Sequence, residues 1–162
     1  MGDDRKTLDK AVGHALLGTG AHAETKMVFA ALNWKLAGMR PESAPHSVYQ
    51  LLNHMLYWQE WVANWLDGKR PPIPKHASGS WPGDTGPASR EEWERTVRRF
   101  RNGLEDLTRR SRQADLFAKG GTKSPLEMLH TSASHNSYHA GQVVLLRQVL
   151  GAWPPPSGGL TW

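Results

Sequence analysis

Three tetrapeptides share one pattern, and that pattern does most to limit what this chain can fold into. Ser47-Val48-Tyr49-Gln50, Ser89-Arg90-Glu91-Glu92 and Ser124-Pro125-Leu126-Glu127 each read S-x-x-E/Q. In such a capping box the serine oxygen accepts the N–H of the third helical residue, and the Glu or Gln side chain reaches back to the serine N–H. Pro125 falls at the first helical position, where a missing N–H is harmless. Gly68 and Gly151 mark two stops, and Pro154 to Pro156 bar any continuation beyond the second.

This punctuation predicts helices over 48–67, 90–112 and 125–150. An earlier helix is predicted over 5–38, ending before Met39-Arg40-Pro41. Gly13, Gly18 and Gly20 weaken it by about 1 kcal/mol each relative to alanine, which leaves room for a bend or break near 18–20. Residues 68–88 are rich in Pro and Gly and read as a long loop. No alternating apolar and polar run suggests a strand, and no internal repeat is evident. The expectation is an all-α four-helix bundle in a single domain, 1–162.

The seams agree with a bundle. Trp93, Val97, Phe100, Leu104 and Leu107 recur at steps of four and three, the spacing of a bundle interior. Leu51, His54, Trp58, Trp61 and Trp65 do the same one helix earlier. Met128, Ser132, His135, His139, Gln142, Leu146 and Val149 form a stripe on the last helix. Core packing is the reading for Trp58, Trp61 and Trp65, with a pocket mouth as the alternative.

Three histidines interrupt these apolar seams. His135 and His139 stand four apart, so both imidazoles leave one helix face. His54 lies on another predicted core helix. An unpartnered buried imidazole costs about 1–3 kcal/mol. A divalent metal ion would account for all three at once, and a buried hydrogen-bonded cluster is the bland alternative. Neutral imidazole suits Zn, Ni, Cu and Fe(II), and three protein ligands leave positions open for water or substrate. His22 falls on a first-helix stripe with Leu8, Val12, Ala15 and Thr19, and it is a further candidate to face the site. Gln142 and Tyr138 are the nearest polar neighbours by helical spacing, and neither is a good base at neutral pH. His46 reads as part of the turn into its helix, His76 as a loop residue, and His14 and His130 as surface or bundle-edge residues.

Several classes are excluded. The chain has no cysteine, so it has no disulfide, no thiolate nucleophile and no Cys-type zinc site. HNSYH lacks the glutamate of the H-E-x-x-H zincins, because Asn136 stands in its place. No G-x-x-x-x-G-K-[ST] phosphate loop occurs, and no two helices each carry the Glu-x-x-His motif of a di-iron bundle. The N-terminus has no apolar signal-peptide core and no run is long enough to cross a membrane, so a cytoplasmic location is expected. The net charge is +5, with arginines concentrated between Arg95 and Arg112. Their interleaving with acids reads as a mixed-charge helix surface, with nucleic-acid binding as the less favoured reading.

PHSVYQLLNHMLYWQEW, the Trp81-Pro82 pair and HNSYHAGQVVLLRQVLGAWP resemble the DinB/YfiT-like family of metal-dependent proteins, from about Leu8 to Trp153. The resemblance implies an up-down-down-up bundle with a long crossover at 68–88. It implies a divalent metal, most often nickel or zinc, with iron or manganese as further options. The implied ligands are His54, His135 and His139. Relatives often carry an acid before the His-Asn pair, where this chain has Ser134. The resemblance also implies a homodimer and, for some relatives, transfer of a low-molecular-weight thiol; others resemble hydrolases. A metal bound by neutral histidines would acidify a thiol or a water. A non-catalytic metal-binding or small-ligand-binding bundle is the alternative from a different class.

Overall fold

The computed structural model describes residues 2–119, 122–156 and 158. The expected domain, 1–162, also includes Met1, Gly120, Gly121, Ser157 and residues 159–162, which lie outside the described residues. Helix α1 spans Gly2–Leu17, α2 Trp34–Gly38, α3 Val48–Leu66, α4 Arg90–Gln113 and α5 Pro125–Val149, with a 3-10 turn at Ala77–Ser80. The described residues contain no strand.

The three serines cap as their sequence predicts. Ser47 and Ser124 form full capping boxes with Gln50 and Glu127. Ser89 accepts from the Glu92 N–H, while the Glu92 carboxylate takes the Ala88 N–H and the Tyr49 hydroxyl. The N-terminal region breaks at the glycines near 18–20, and beyond that break the helix expected as far as 38 does not resume until Trp34. Gly18 stops α1 with φ of +71°, and the Thr19 and Gly18 N–H groups return to the His14 and Ala15 carbonyls. This is a Schellman end, and a non-glycine residue is strained at that φ. The chain then runs through turns to α2, burying Val28 and Phe29 on the way.

Hydrogen bonds at the helix ends define the topology. The Arg5 guanidinium, near the start of α1, donates to the Ser111, Arg112 and Ala114 carbonyls at the end of α4, so these helices are antiparallel. Tyr49 meets Glu92 at the two N-termini of α3 and α4, and Arg110 pairs with Asp67 at the two C-termini, so α3 and α4 are parallel. The start of α3 (Leu51) and the end of α5 (Leu146) line one hollow, while the end of α3 (Trp65) and the start of α5 (Met128) line another, so α5 runs against α3. The four long helices are up, down, down, up. Helices α1 and α3 sit on one diagonal, with no Cα atoms within 8 Å of one another.

Two apolar clusters fill the bundle. One gathers Phe29, Leu52, Met55, Phe100 and Val143, and the other Leu16, Val62, Leu107, Leu116 and Leu129. Fully burying each such side chain contributes about 1.5–3 kcal/mol. Phe29 meets the edges of Phe100 and Trp93 at 5.4 and 6.3 Å. Gln59 is 2% exposed and donates from Nε2 to the Phe100 carbonyl across the helix pair. Gly103 makes room for it: a Cβ there would lie 1.6 Å from the Gln59 nitrogen.

On α5 the most deeply buried stripe is Leu129, Ala133, Asn136, Ala140, Val143 and Arg147, one position round from the expected one. Val149, expected on the seam, is exposed. The histidine stripe therefore faces α3 at the side of the bundle rather than its centre. Trp58, Trp61 and Trp65 are only half-buried and line a cavity, the alternative to core packing, while Trp61 and Trp65 also pack against the second apolar cluster. Leu52, Met55, Leu56 and Val62 supply the α3 core instead.

Parallel α3 and α4 need a long crossover, and residues 68–89 provide it. Its second half is laced to α3. The Ser47 hydroxyl donates to the Thr85 carbonyl, the Gln50 amide to that of Pro82, and the His54 Nδ1–H to that of Ser80. Residues 47, 50 and 54 share one helix face. The loop is also pressed onto α2, where a Cβ on Gly38 would lie 2.8 Å from the Gly86 Cα.

Candidate metal centre

His54, His135 and His139 converge between α3 and α5. One nitrogen from each lies within 4.8 Å of the others, and among the described residues this is the metal-competent cluster. The Nε2 atoms of His54 and His135 are 3.1 Å apart. Ligand bonds of about 2.0–2.1 Å place neighbouring nitrogens on one ion roughly 3–3.4 Å apart, so this pair already has the right separation. His54 and His139 are buried, and His135 is partly accessible.

The ring nitrogens that face away from the cluster are held. The Ser80 carbonyl accepts the His54 Nδ1–H at 3.2 Å, and Gln142 Oε1 accepts the His139 Nδ1–H at 2.6 Å. Both bonds fix the tautomer that leaves a lone pair on Nε2, the atom aimed at the cluster. Gln142 thus lines the site as a second contact, and its amide in turn reaches the Tyr138 hydroxyl. These partners are neutral, and among the described residues no carboxylate joins the cluster.

Electrostatics favour neutral rings. Burial pushes His54 down to about 4, assisted by the neighbouring His139 and His46 and opposed by the Ser80 bond. Burial also holds His135 at about 4, with His139 and His54 adding to the effect. His139 is lowered by burial as well, against the Gln142 bond. All three rings are unprotonated at neutral pH, the state a metal requires.

The sequence reading missed two groups here. Trp81 lies between His46 and His54, stacked on the first at 3.6 Å and on the second at 3.8 Å, with planes within 8° and 5° of parallel. Trp81-Pro82 entered that reading only through the resemblance. His46, taken for a simple turn residue, is a fourth imidazole beside the site. Its pKa is lowered by burial and by Arg40. Neither residue shows a helical period, so periodicity could not have placed them.

His22 does not face the cluster. Its ring bonds the Ala23 carbonyl and the Ser137 hydroxyl on another side of α5. It shares a separate groove with His14, His130 and Ser134.

A family model described as the DinB superfamily matches residues 19–143, a span that contains all three histidines and most of the bundle. It is narrower than the Leu8–Trp153 resemblance and begins just past α1. No curated protein and no solved structure matches the chain. The family and the three-histidine cluster are compatible with divalent-metal binding.

Proposed function

The chain belongs to the DinB superfamily, and on that footing we propose that it is a divalent-metal enzyme whose ion is held by His54, His135 and His139. The convergence of three neutral imidazoles, two with their outer nitrogens tied to acceptors, carries the reading. Nickel or zinc suits this all-nitrogen set, with iron and manganese as the other divalent candidates.

When bound, the ion supplies the positive charge that acidifies a thiol or a water. The chain's own residues do the rest. Ser80 and Gln142 keep the ligand lone pairs aimed inward. Trp81 covers the His54 face and keeps bulk water from that side. His135, the most accessible of the three, borders the aromatic cavity through which a small molecule can approach.

The reaction is transfer of a low-molecular-weight thiol onto an electrophile, in preference to hydrolysis. A thiol ionises at about 8.5 and needs far less acidification than water at about 15.7. The cluster contains no carboxylate to assist a water. With no cysteine in the chain, the thiol must be a cosubstrate. Nucleic-acid binding has less support. Arg98, Arg99, Arg109 and Arg110 pair with Glu94, Glu60, Asp106 and Asp67, so much of the arginine surface is locally neutralised.

Elemental analysis of tag-free protein, prepared without a nickel column, tests the metal. About one equivalent is expected in the wild type and little in His54→Ala. No metal in either protein after metal is added back overturns the reading. Thiols paired with electrophiles then test the reaction. Stoichiometric metal without turnover would make this a non-catalytic binder.

A further inference from the structure

A cavity of about 500 Å³ lies beside the histidines, between the C-terminal half of α3 and the N-terminal half of α5. Trp58, Trp61 and Trp65 form its α3 wall, and all three are half-buried. Three indoles left partly open on one wall mark a binding surface for something flat and apolar. The wall is braced, because the Trp61 Nε1–H donates to the Pro71 and Pro72 carbonyls of the crossover.

The α5 wall adds a polar group. Met128, Ser132 and His135 share one face of α5, and all three line the cavity. At 1.5 Å per residue, Ser132 stands about 6 Å past Met128 and about 4.5 Å short of His135. Ser132 is 6% exposed, and its hydroxyl has no hydrogen-bond partner among the described residues. A hydroxyl inside a helix commonly returns to the carbonyl one turn back, as Thr131 Oγ1 does to Glu127. Ser132 makes no such bond, so a buried donor stands in the wall of a ligand-sized hollow. Leaving a buried donor unmade is costly, and a ligand acceptor would relieve it.

We propose that this cavity binds an aryl ketone. Its ring lies between the indoles and Met128, its carbonyl oxygen accepts from Ser132, and the chain beyond the carbonyl ends at His135. The order along α5, apolar residue then donor then histidine, sets that order in the ligand. With an alkene in the chain the compound is an electrophile for the proposed thiol transfer, and this part alone rests on that reading. The thiol sulfur then bonds to the outer alkene carbon, and the alkene electron pair moves onto the carbonyl oxygen beside Ser132. The proton lost by the thiol ends on the carbon next to the carbonyl, so no oxidant or reductant is consumed.

The probe is butyrophenone, which has no alkene and does not react. Isothermal titration calorimetry compares it with butylbenzene, which lacks the carbonyl, and with cyclohexyl propyl ketone, which lacks the aromatic ring. Butyrophenone should bind about fivefold or more tightly than either control. Ser132→Ala should erase its lead over butylbenzene. Trp61→Leu, checked for helicity by circular dichroism, should narrow its lead over the saturated ketone. No binding of butyrophenone, equal binding of either control, or a lead that survives its variant would overturn the proposal. The titrations are run on protein as purified and after chelator treatment, with metal content measured on both. Both leads preserved in protein that never holds metal would refute the metal reading and leave the cavity assignment standing. Leads absent from metal-replete protein would do the reverse.

Discussion

Trp81 lies flat on His54, ring centres 3.8 Å apart and planes 5° from parallel. The stack sets the imidazole plane, and the Ser80 carbonyl one residue earlier sets its direction within that plane. Trp81→Leu frees the ring to turn, so divalent-metal affinity should fall about 10-fold or more. Competition against a chromophoric chelator measures it. Unchanged affinity would show that the plane is set without the indole.

Gln142 holds His139 by a single bond to Nδ1. Gln142→Leu removes the acceptor and should weaken metal binding about 10–100-fold, whereas Gln142→Glu restores an acceptor and should recover it. Equal losses in the two variants would point to packing rather than to the hydrogen bond.

Acid should loosen the metal-free protein. His54 and His135 titrate near 6.5 when unfolded and are held at about 4 in the fold, chiefly by burial. Between those values the unfolded state carries more protons. Stability is therefore full above the unfolded pKa and declines as pH falls from 6.5 toward 4, by up to about 1.4 kcal/mol per pH unit for each group. Urea midpoints of chelator-treated protein should drop from pH 7 to pH 5, and less steeply in His135→Ala. A flat profile in the wild type would contradict buried neutral rings.

Gly103→Ala places a methyl 1.6 Å from the Gln59 amide nitrogen. Gln59 is buried and cannot swing into solvent. Displacing it strands a buried side-chain amide, which outweighs the roughly 1 kcal/mol that alanine gains in a helix. A net loss of about 2 kcal/mol is expected by thermal or urea denaturation. A stabilised variant would mean that the amide bridge contributes little.

What the sequence made legible follows from what is local. Ser47, Ser89 and Ser124 announce their helices because a cap is written within four residues. His135 and His139 reveal their shared face because a helical turn is fixed. His54 could be paired with them only by arguing that α3 and α5 pack, which its seam supports. The exact burial stripe of α5 was less legible. Small residues such as Ala133 and Ala140 admit close packing on a face where the larger Leu146 and Val149 looked the better seam. Residues 19–33 were expected to be helical, but after Gly18 they run through turns that bury Val28, Phe29 and Leu32 without helical period. Ser80, Trp81 and His46 reach the histidines through tertiary contacts of a loop with no period.

The ladder of Ser47, Gln50 and His54 onto the crossover separates two inheritable traits within one loop. Between Ser80 and Thr85 the backbone is counted against α3, so losing one residue there would slide the Ser80 carbonyl off His54. Earlier in the loop the Trp61 Nε1–H donates to the Pro71 and Pro72 carbonyls, and this half carries Arg70 and Ile73 into the cavity wall, but among the described residues no hydrogen bond ties 73–78 to α3. Insertions and deletions can accumulate between Ile73 and Ser78, retuning which molecules fit, while the stretch from Ser80 to Thr85 keeps a constant length.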